Sequence, residues 1–300
     1  MVRVNSGILL VDKPRGMTSH DVVARVRRFA ATRKVGHAGT LDPMATGLLL
    51  IGVNSATRLL HHLVGLDKEY LATVRLGAAT TTDDAEGEVV GRAPADAVAA
   101  IGDDAIREGM LRLTGVLDQV PSSVSAVKVD GRRAYDRVRD GEQVELAARR
   151  VTVAAFDLLE QCRVDGFIDL DVRVVCSSGT YVRALARDLG GALGVGGHLT
   201  ALRRTRVGGF EIADATTLAS LEADGVAAAL MSPADAAARA LPAVAVSPDE
   251  ARDLGHGKRL VAPAQATGTL AAVEGDRLVA IVERRGDTLK VVTGFPQEQP

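Results

Sequence analysis

Apolar residues recur along this chain with two different periods, and the alternation between them predicts the elements. Gly7 to Val11 is a short apolar run that reads as a strand, and Asp12-Lys13-Pro14-Arg15-Gly16-Met17 after it is a turn built from Pro and Gly. Thr18 or Ser19 then caps a helix over about His20 to Ala31, with Val22, Val23, Val26, Phe29 and Ala30 as its inward stripe and Arg25 and Arg28 on the other side. Leu48 to Val53 shows no alternation at all, as expected of a strand buried on both faces. A short helix over about Ser55 to Val64 follows, then an alternating strand from Lys68 to Gly77 that includes Tyr70. Thr80 to Glu88 is an acidic loop, and Asp103 to Leu113 a further helix.

From Val120 to about Arg150 the chain is broken by Gly and rich in Arg, with a hairpin turn at Asp130-Gly131 and a short helix over Ala134 to Val138. Val151 to Leu159 and Phe167 to Val175 then alternate as paired strands around Asp165-Gly166. Thr180 is placed to cap a helix running to Leu193, and the glycines from Gly190 to Gly197 read as its end and a connection. His198 to Arg206 is a strand, residues 227–241 an Ala- and Pro-rich connector, and Leu270 to Glu274 and Leu278 to Val282 short strands. The elements add up to a mixed α+β fold: a large domain over 1–238 and a small β-rich one over 239–300.

Composition changes this picture little. A length of 300 residues, 47 % of them hydrophobic, suits one large domain plus a smaller one. The formal charge of −2 argues against a protein that coats nucleic acid nonspecifically. Basic clusters nonetheless occur at Arg25, Arg27, Arg28, Arg33 and Lys34, at Arg132, Arg133, Arg137 and Arg139, and at Arg203, Arg204 and Arg206, against an acidic run of Asp83, Asp84, Glu86 and Glu88. Each is by itself most simply a solvated face; together they favour phosphate. Cys162 and Cys176 lie far apart and read as reduced core thiols, and the adjacent His61 and His62 point to different sides of a helix, so no metal is implied. Without an apolar run approaching membrane length or a signal segment at the start, the cytoplasm is the expected location.

Candidate chemistry concentrates in Gly36-His37-Ala38-Gly39-Thr40-Leu41-Asp42-Pro43-Met44-Ala45-Thr46-Gly47. Asp before Pro is also a common helix start, with Asp as N-cap and Pro at the first helical position. Against that, three glycines call for a backbone that turns tightly or is approached closely. A second informative stretch is Gly179-Thr180-Tyr181-Val182-Arg183, where Arg183 falls in the first turn of a helix. The dipole there is unfavourable to a cation, so Arg183 should meet an anion, a carboxylate or a phosphate.

The pattern Gly-His-x-Gly-Thr-Leu-Asp-Pro-x-Ala-x-Gly closely resembles the catalytic motif of the tRNA pseudouridine-55 synthase family, the B-type bacterial pseudouridine synthases. The resemblance implies a largely antiparallel sheet with flanking helices, an RNA-gripping insertion at about 120–150, and a PUA-like C-terminal domain. It implies that Asp42 is the essential catalytic residue and that Arg183 pairs with it. Tyr70, in the family's Lys-x-Tyr motif, stacks on the target uracil; Tyr181 lies against the same base; Leu202, before Arg203-Arg204, lines its pocket. His37 takes the vacated place in the RNA, and Lys13 with Pro14 supports the wall of the site. The insertion departs from the pattern: Pro121-Ser122-Ser123-Val124-Ser125-Ala126-Val127-Lys128 lacks the family's second proline and its aromatic.

The implied reaction moves uracil from an N1 to a C5 glycosidic bond of the T-loop uridine, position 55, of tRNA, with no cofactor and no metal. The expected partner is the tRNA T-stem-loop alone, bound by a monomer with no obligate protein partner and no membrane. Three other readings compete. One is a guide-RNA-dependent synthase of the dyskerin type, and another a tRNA-binding folding factor that needs no catalysis. The third, a phosphoryl-accepting aspartate, ranks last because position 44 is Met where a second Asp is usual.

Overall fold

A computed structural model describes residues 4–122, 128–129, 132–133 and 147–297, the two short internal pairs as backbone only. In chain order the elements that position the site are β1 (Gly7–Lys13), α1 (Ser19–Phe29), β2 (Val35–Ala38), β3 (Thr46–Val53), α2 (Leu60–Leu63), β4 (Lys68–Leu76), β5 (Ala78–Thr80), β6 (Val89–Arg92), α3 (Ala95–Ala99), α4 (Asp103–Arg112) and β7 (Gly115–Gln119). After the short pair β8 (Lys128–Val129) and β9 (Arg132–Arg133) come β10 (Arg149–Val164), β11 (Phe167–Cys176), α5 (Val182–Ala192) and β12 (Gly197–Val207). The chain forms two compact units, one of residues 1–66 and 206–300 and the other of residues 67–205. The hairpin turn expected at Asp130-Gly131, the helix expected over 134–138 and most of the 121–128 segment lie outside the described residues.

In the first unit β1 and β2 both pair antiparallel with β3, Leu10 and Ala38 each opposite Leu50. Every residue of β3 after Thr46 is buried, as its unbroken apolar run requires. Thr18 caps α1 through a reciprocal box with Asp21, and Val22, Val23 and Val26 face inward while Phe29 is half-buried beneath Arg28. The helix expected over 55–64 is two pieces, a 3-10 turn at Asn54–Arg58 and α2. Asn54, at φ 54°, opens that turn directly after β3, where an extended chain must reverse into a helical one. Residues 243–294 build a separate five-stranded sheet. Ala271, Leu278, Ile281 and Phe295 from this region nevertheless share a core with Ile8, Leu10, Leu48 and Leu50.

In the second unit β4, β11, β10 and β7 pair antiparallel in that order, with the chain of β12 next to β4. The hairpin at Asp165-Gly166 is present, both residues at positive φ as a two-residue turn demands. Cys176 is buried, and burial pushes its thiol up to about 11; Cys162, expected in the core, is exposed, because the register sets it opposite Asp169 while its neighbours Gln161 and Arg163 lie opposite the buried Leu170 and Ile168. Tyr181, not Thr180, occupies the N-cap of α5; the Thr180 hydroxyl turns back to Ser177 O at 3.0 Å. Among the described residues no helix is long and apolar enough to cross a membrane.

Two expected outcomes follow from close packing in this unit. A Cβ on Gly190 would land on the backbone of Gly196 and Gly197, so Gly190→Ala should cost about 1–3 kcal/mol of stability in urea unfolding. Lys68 is nearly inaccessible, and burial, with Arg204 beside it, brings its ammonium down to about 8. Between there and the unfolded value near 10.5 the unfolded chain binds the extra proton, so this group's contribution to stability rises with pH. Parent stability measured relative to Lys68→Met should therefore increase by about 2 kcal/mol from pH 8 to pH 10; a flat difference would contradict it.

Candidate active site

The stretch between β2 and β3 carries Asp42. Gly39 and Gly47 adopt φ of 78° and 99°, values a side chain would oppose. Asp42 begins no helix. Its carbonyl accepts the Ala45 N–H at 3.1 Å in a single turn, and the chain passes directly into β3, because four consecutive leucines and isoleucines from Leu48 commit it to an extended, fully covered strand. Leu41, Met44 and Ala45 are buried around the turn while Asp42 itself is half-buried.

The loop is held from the adjoining turn and helix. Lys13 is 0 % exposed, and its ammonium donates to Pro14 O (2.9 Å), Met17 O (2.6 Å) and Pro43 O (3.3 Å), the last belonging to the residue after Asp42. The Gly16 N–H reaches the same Pro43 carbonyl at 2.8 Å. Ser19, in the first turn of α1, accepts the Leu41 N–H at 2.9 Å and donates to Leu41 O at 3.1 Å. Both neighbours of Asp42 are thus pinned through their backbones. His37, half-buried on β2, meets exposed His20 edge to face, centroids 5.4 Å apart at 86°.

In the second unit Tyr70 lies on the inward face of β4 and is buried, as are Lys68, Ala72, Val74 and Leu76 at the same alternation. Leu202 and Arg204 share the covered face of β12. Tyr181 is half-buried at the start of α5. Arg183, in the first turn of α5, meets the anion its position demands. Its Nη1 lies 3.2 Å from Asp84 Oδ2 and donates to Thr82 O at 2.8 Å, the two side chains 5 % and 4 % exposed. Asp84 also accepts from the Thr82 hydroxyl at 2.5 Å and from the Glu86 N–H at 3.0 Å. A buried ion pair is tolerated when its remaining donors and acceptors are satisfied in this way. Asp83, at φ 60°, is paired with Arg187 at 3.3 Å; burial pushes its carboxyl up from the usual range, opposed by Ser122 and Arg187.

Lys13, His37 and Asp42 therefore belong to the first unit, and Tyr70, Tyr181, Arg183 and Leu202 to the second. Sequence reasoning missed Ser19, His20 and Asp84. The demand of Arg183 for an anion and the crowding of acids at 83–88 together carried the signal for Asp84; Ser19 and His20 carried none.

Comparison with known proteins gives the family of the chain. The model described as TruB family pseudouridylate synthase (N terminal domain) matches residues 27–182. The tRNA pseudouridylate synthase B C-terminal domain matches 183–239, and tRNA Pseudouridine synthase II, C terminal, matches 241–296. The tRNA pseudouridine synthase B of Leifsonia xyli subsp. xyli (strain CTCB07) is 56 % identical over 311 residues, covering 100 % of this chain and 99 % of its own. That of Thermobifida fusca (strain YX) is 54 % identical over 294 residues, with coverages of 96 % and 98 %. Among solved structures, a chain of a Cbf5-Nop10-Gar1 complex aligns with a TM-score of 0.73 at 28 % identity, covering 97 % of this chain and 85 % of that one. A chain of an H/ACA RNP bound to a substrate RNA containing 2'-deoxyuridine gives 0.71 at 26 %, with the same coverages. Identity above one half, sustained from end to end, makes this chain a member of the tRNA pseudouridine synthase B family, whose members are isomerases.

Proposed function

We propose that the protein converts the T-loop uridine at position 55 of tRNA to pseudouridine, with Asp42 as the reacting carboxylate. The observation that carries this reading is the half-buried acid on a turn whose two flanking residues are both anchored by backbone hydrogen bonds. Such an acid has little freedom to move, which is what attack at a sugar carbon, or removal of a proton from it, requires. The N1–C1′ bond breaks, the freed uracil turns, and a C5–C1′ bond forms; C5 loses its proton and N1 gains one. The isomerisation balances with neither oxidant nor energy source.

Uridine within folded RNA must first be turned out of its stack, at about a few kcal/mol. Tyr70 and Tyr181 are assigned to stack on the extruded base, at roughly 1–3 kcal/mol each, with Leu202 lining the same pocket. His37 is assigned to the vacated place in the RNA. Arg183 is assigned as counter-ion to Asp42; a guanidinium has five N–H donors, so bonds to Asp84 and Thr82 do not exhaust it. Lys13 acts from beneath the loop. Residues 1–238 form the catalytic part and 239–300 the PUA-like part in this reading. The enzyme works as a cytoplasmic monomer on tRNA without guide RNA or protein partner.

The guide-RNA-dependent reading draws on the likeness to the H/ACA complex chains, at 26–28 % identity. The relatives that match from end to end are named for tRNA, at 52–56 %. Incubating the pure protein with a bare T-stem-loop transcript and mapping pseudouridine decides between them, since a guide-dependent enzyme leaves the transcript unmodified. With that substrate Asp42→Asn should lower the single-turnover rate by about 100-fold or more while RNA affinity is retained. Tyr70→Ala and His37→Ala should slow the reaction in folded RNA; full activity in both would reject the pocket. A folding factor without catalysis predicts that Asp42→Asn keeps the whole effect on tRNA folding, a separate readout.

A further inference from the structure

Tyr181 begins α5 without any capping side chain of its own. Its backbone is instead gripped from a distant strand. Gln119, the last residue of β7, accepts the Tyr181 N–H through Oε1 at 2.8 Å and donates from Nε2 to Tyr181 O at 3.1 Å. The side-chain amide thus lies against both peptide groups of one residue, as a neighbouring strand would. Gln119 is 4 % exposed, so water cannot replace either bond. Two bonds on either side of one Cα restrict φ and ψ together, and hence the direction in which that residue's Cα–Cβ bond points. At Tyr181 the backbone stands at φ −100° and ψ 105°, extended, immediately before the helix carrying Arg183. An N-cap residue is ordinarily extended, but no neighbouring hydroxyl holds Tyr181 so, since Thr180 bonds to Ser177 and not to the helix.

We propose that Gln119 is a positioning residue for the reaction, setting the direction of the Tyr181 ring towards the extruded base. The inference rests on the assignment of Tyr181 as a base-stacking residue. Gln119 touches no substrate atom; it acts through the Tyr181 backbone. Its amide is suited to this because one planar group offers an acceptor and a donor on two separate atoms, each aimed at one of the two Tyr181 peptide groups.

A double-mutant cycle on the full chain tests this, with single-turnover rate and T-stem-loop affinity measured separately. Gln119→Leu, close in volume and unable to form either bond, should lower the single-turnover rate by about tenfold with affinity nearly unchanged. In a Tyr181→Ala background the same substitution should cost nothing, since there is no ring left to aim. An equal loss in both backgrounds, or none in the parent, overturns the proposal. Should Gln119→Leu lower the melting temperature, Gln119→Glu repeats the cycle, keeping the length of the side chain and an acceptor for the Tyr181 N–H. Tyr181→Ala on its own, with Gln119 intact, separates the two ideas. If it leaves the rate unchanged, the stacking assignment fails before Gln119 is examined; if it slows the reaction while Gln119 shows no coupling to it, only the positioning role fails.

Discussion

An ammonium with no access to water must be surrounded by oxygen acceptors, and the way Lys13 meets that requirement organises the loop that bears Asp42. Its carbonyl partners come from the turn after β1 and from Pro43. Burying the charge therefore draws the residue after Asp42 against the end of β1. Ser19 applies the same logic on the other side with a neutral hydroxyl, closing both hydrogen-bonding groups of Leu41. The loop bearing Asp42 is thereby defined by polar groups that have nowhere else to go. A non-helical, glycine-bearing segment gains an order that its own backbone bonding would not give it.

The second unit uses a buried charge to a different end. Arg183 stands where the helix dipole opposes it, and Asp84 compensates it at close range with both side chains shielded from solvent. The acidic loop around Asp84 is fixed in turn: the Thr80 hydroxyl donates to Asp84 O at 2.8 Å, and the Leu199 N–H donates to Asp83 O at 3.0 Å, joining the loop to β12. Removing either member of the pair would strand a charge in the interior, so this arrangement maintains geometry more than it adds stability. Gln119 extends the same economy to Tyr181 without using a charge.

A chain of near-neutral net charge that acts on a polyanion must place its cations selectively. Arg204, which looks like part of a solvated patch in sequence, is buried on β12. Arg25 on α1, and Arg33 and Lys34 just before β2, remain exposed, the disposition expected of groups that meet phosphate.

Much of the fold was legible because it depends on local period. The unbroken apolar run of β3, the alternation of β4 and β11, the Asp165-Gly166 turn and the inward stripe of α1 each follow from side-chain spacing that no distant contact needs to correct. Asp42, Tyr181 and Arg183 were marked by a resemblance carried in fixed motifs, and the anion that Arg183 requires could be inferred from its place in the helix. Local rules failed where two options were nearly equal in energy. Asp-Pro can start a helix or a turn, and Thr180 can cap a helix or bond to Ser177; the commitment of β3 and the grip of Gln119 tipped these choices. Cys162 lies outside the core because burial depends on what covers a strand and not on the strand itself. The sequence by itself determined the long strands and helices, the family and the candidate acid, while residues 227–241, expected as a connector, carry a helix at Pro233–Ala238. The tertiary structure alone decided which carboxylate meets Arg183, which side chains hold the loop of Asp42 and what fixes Tyr181, because those partners lie from about twenty to a hundred residues apart and meet only when the chain is closed.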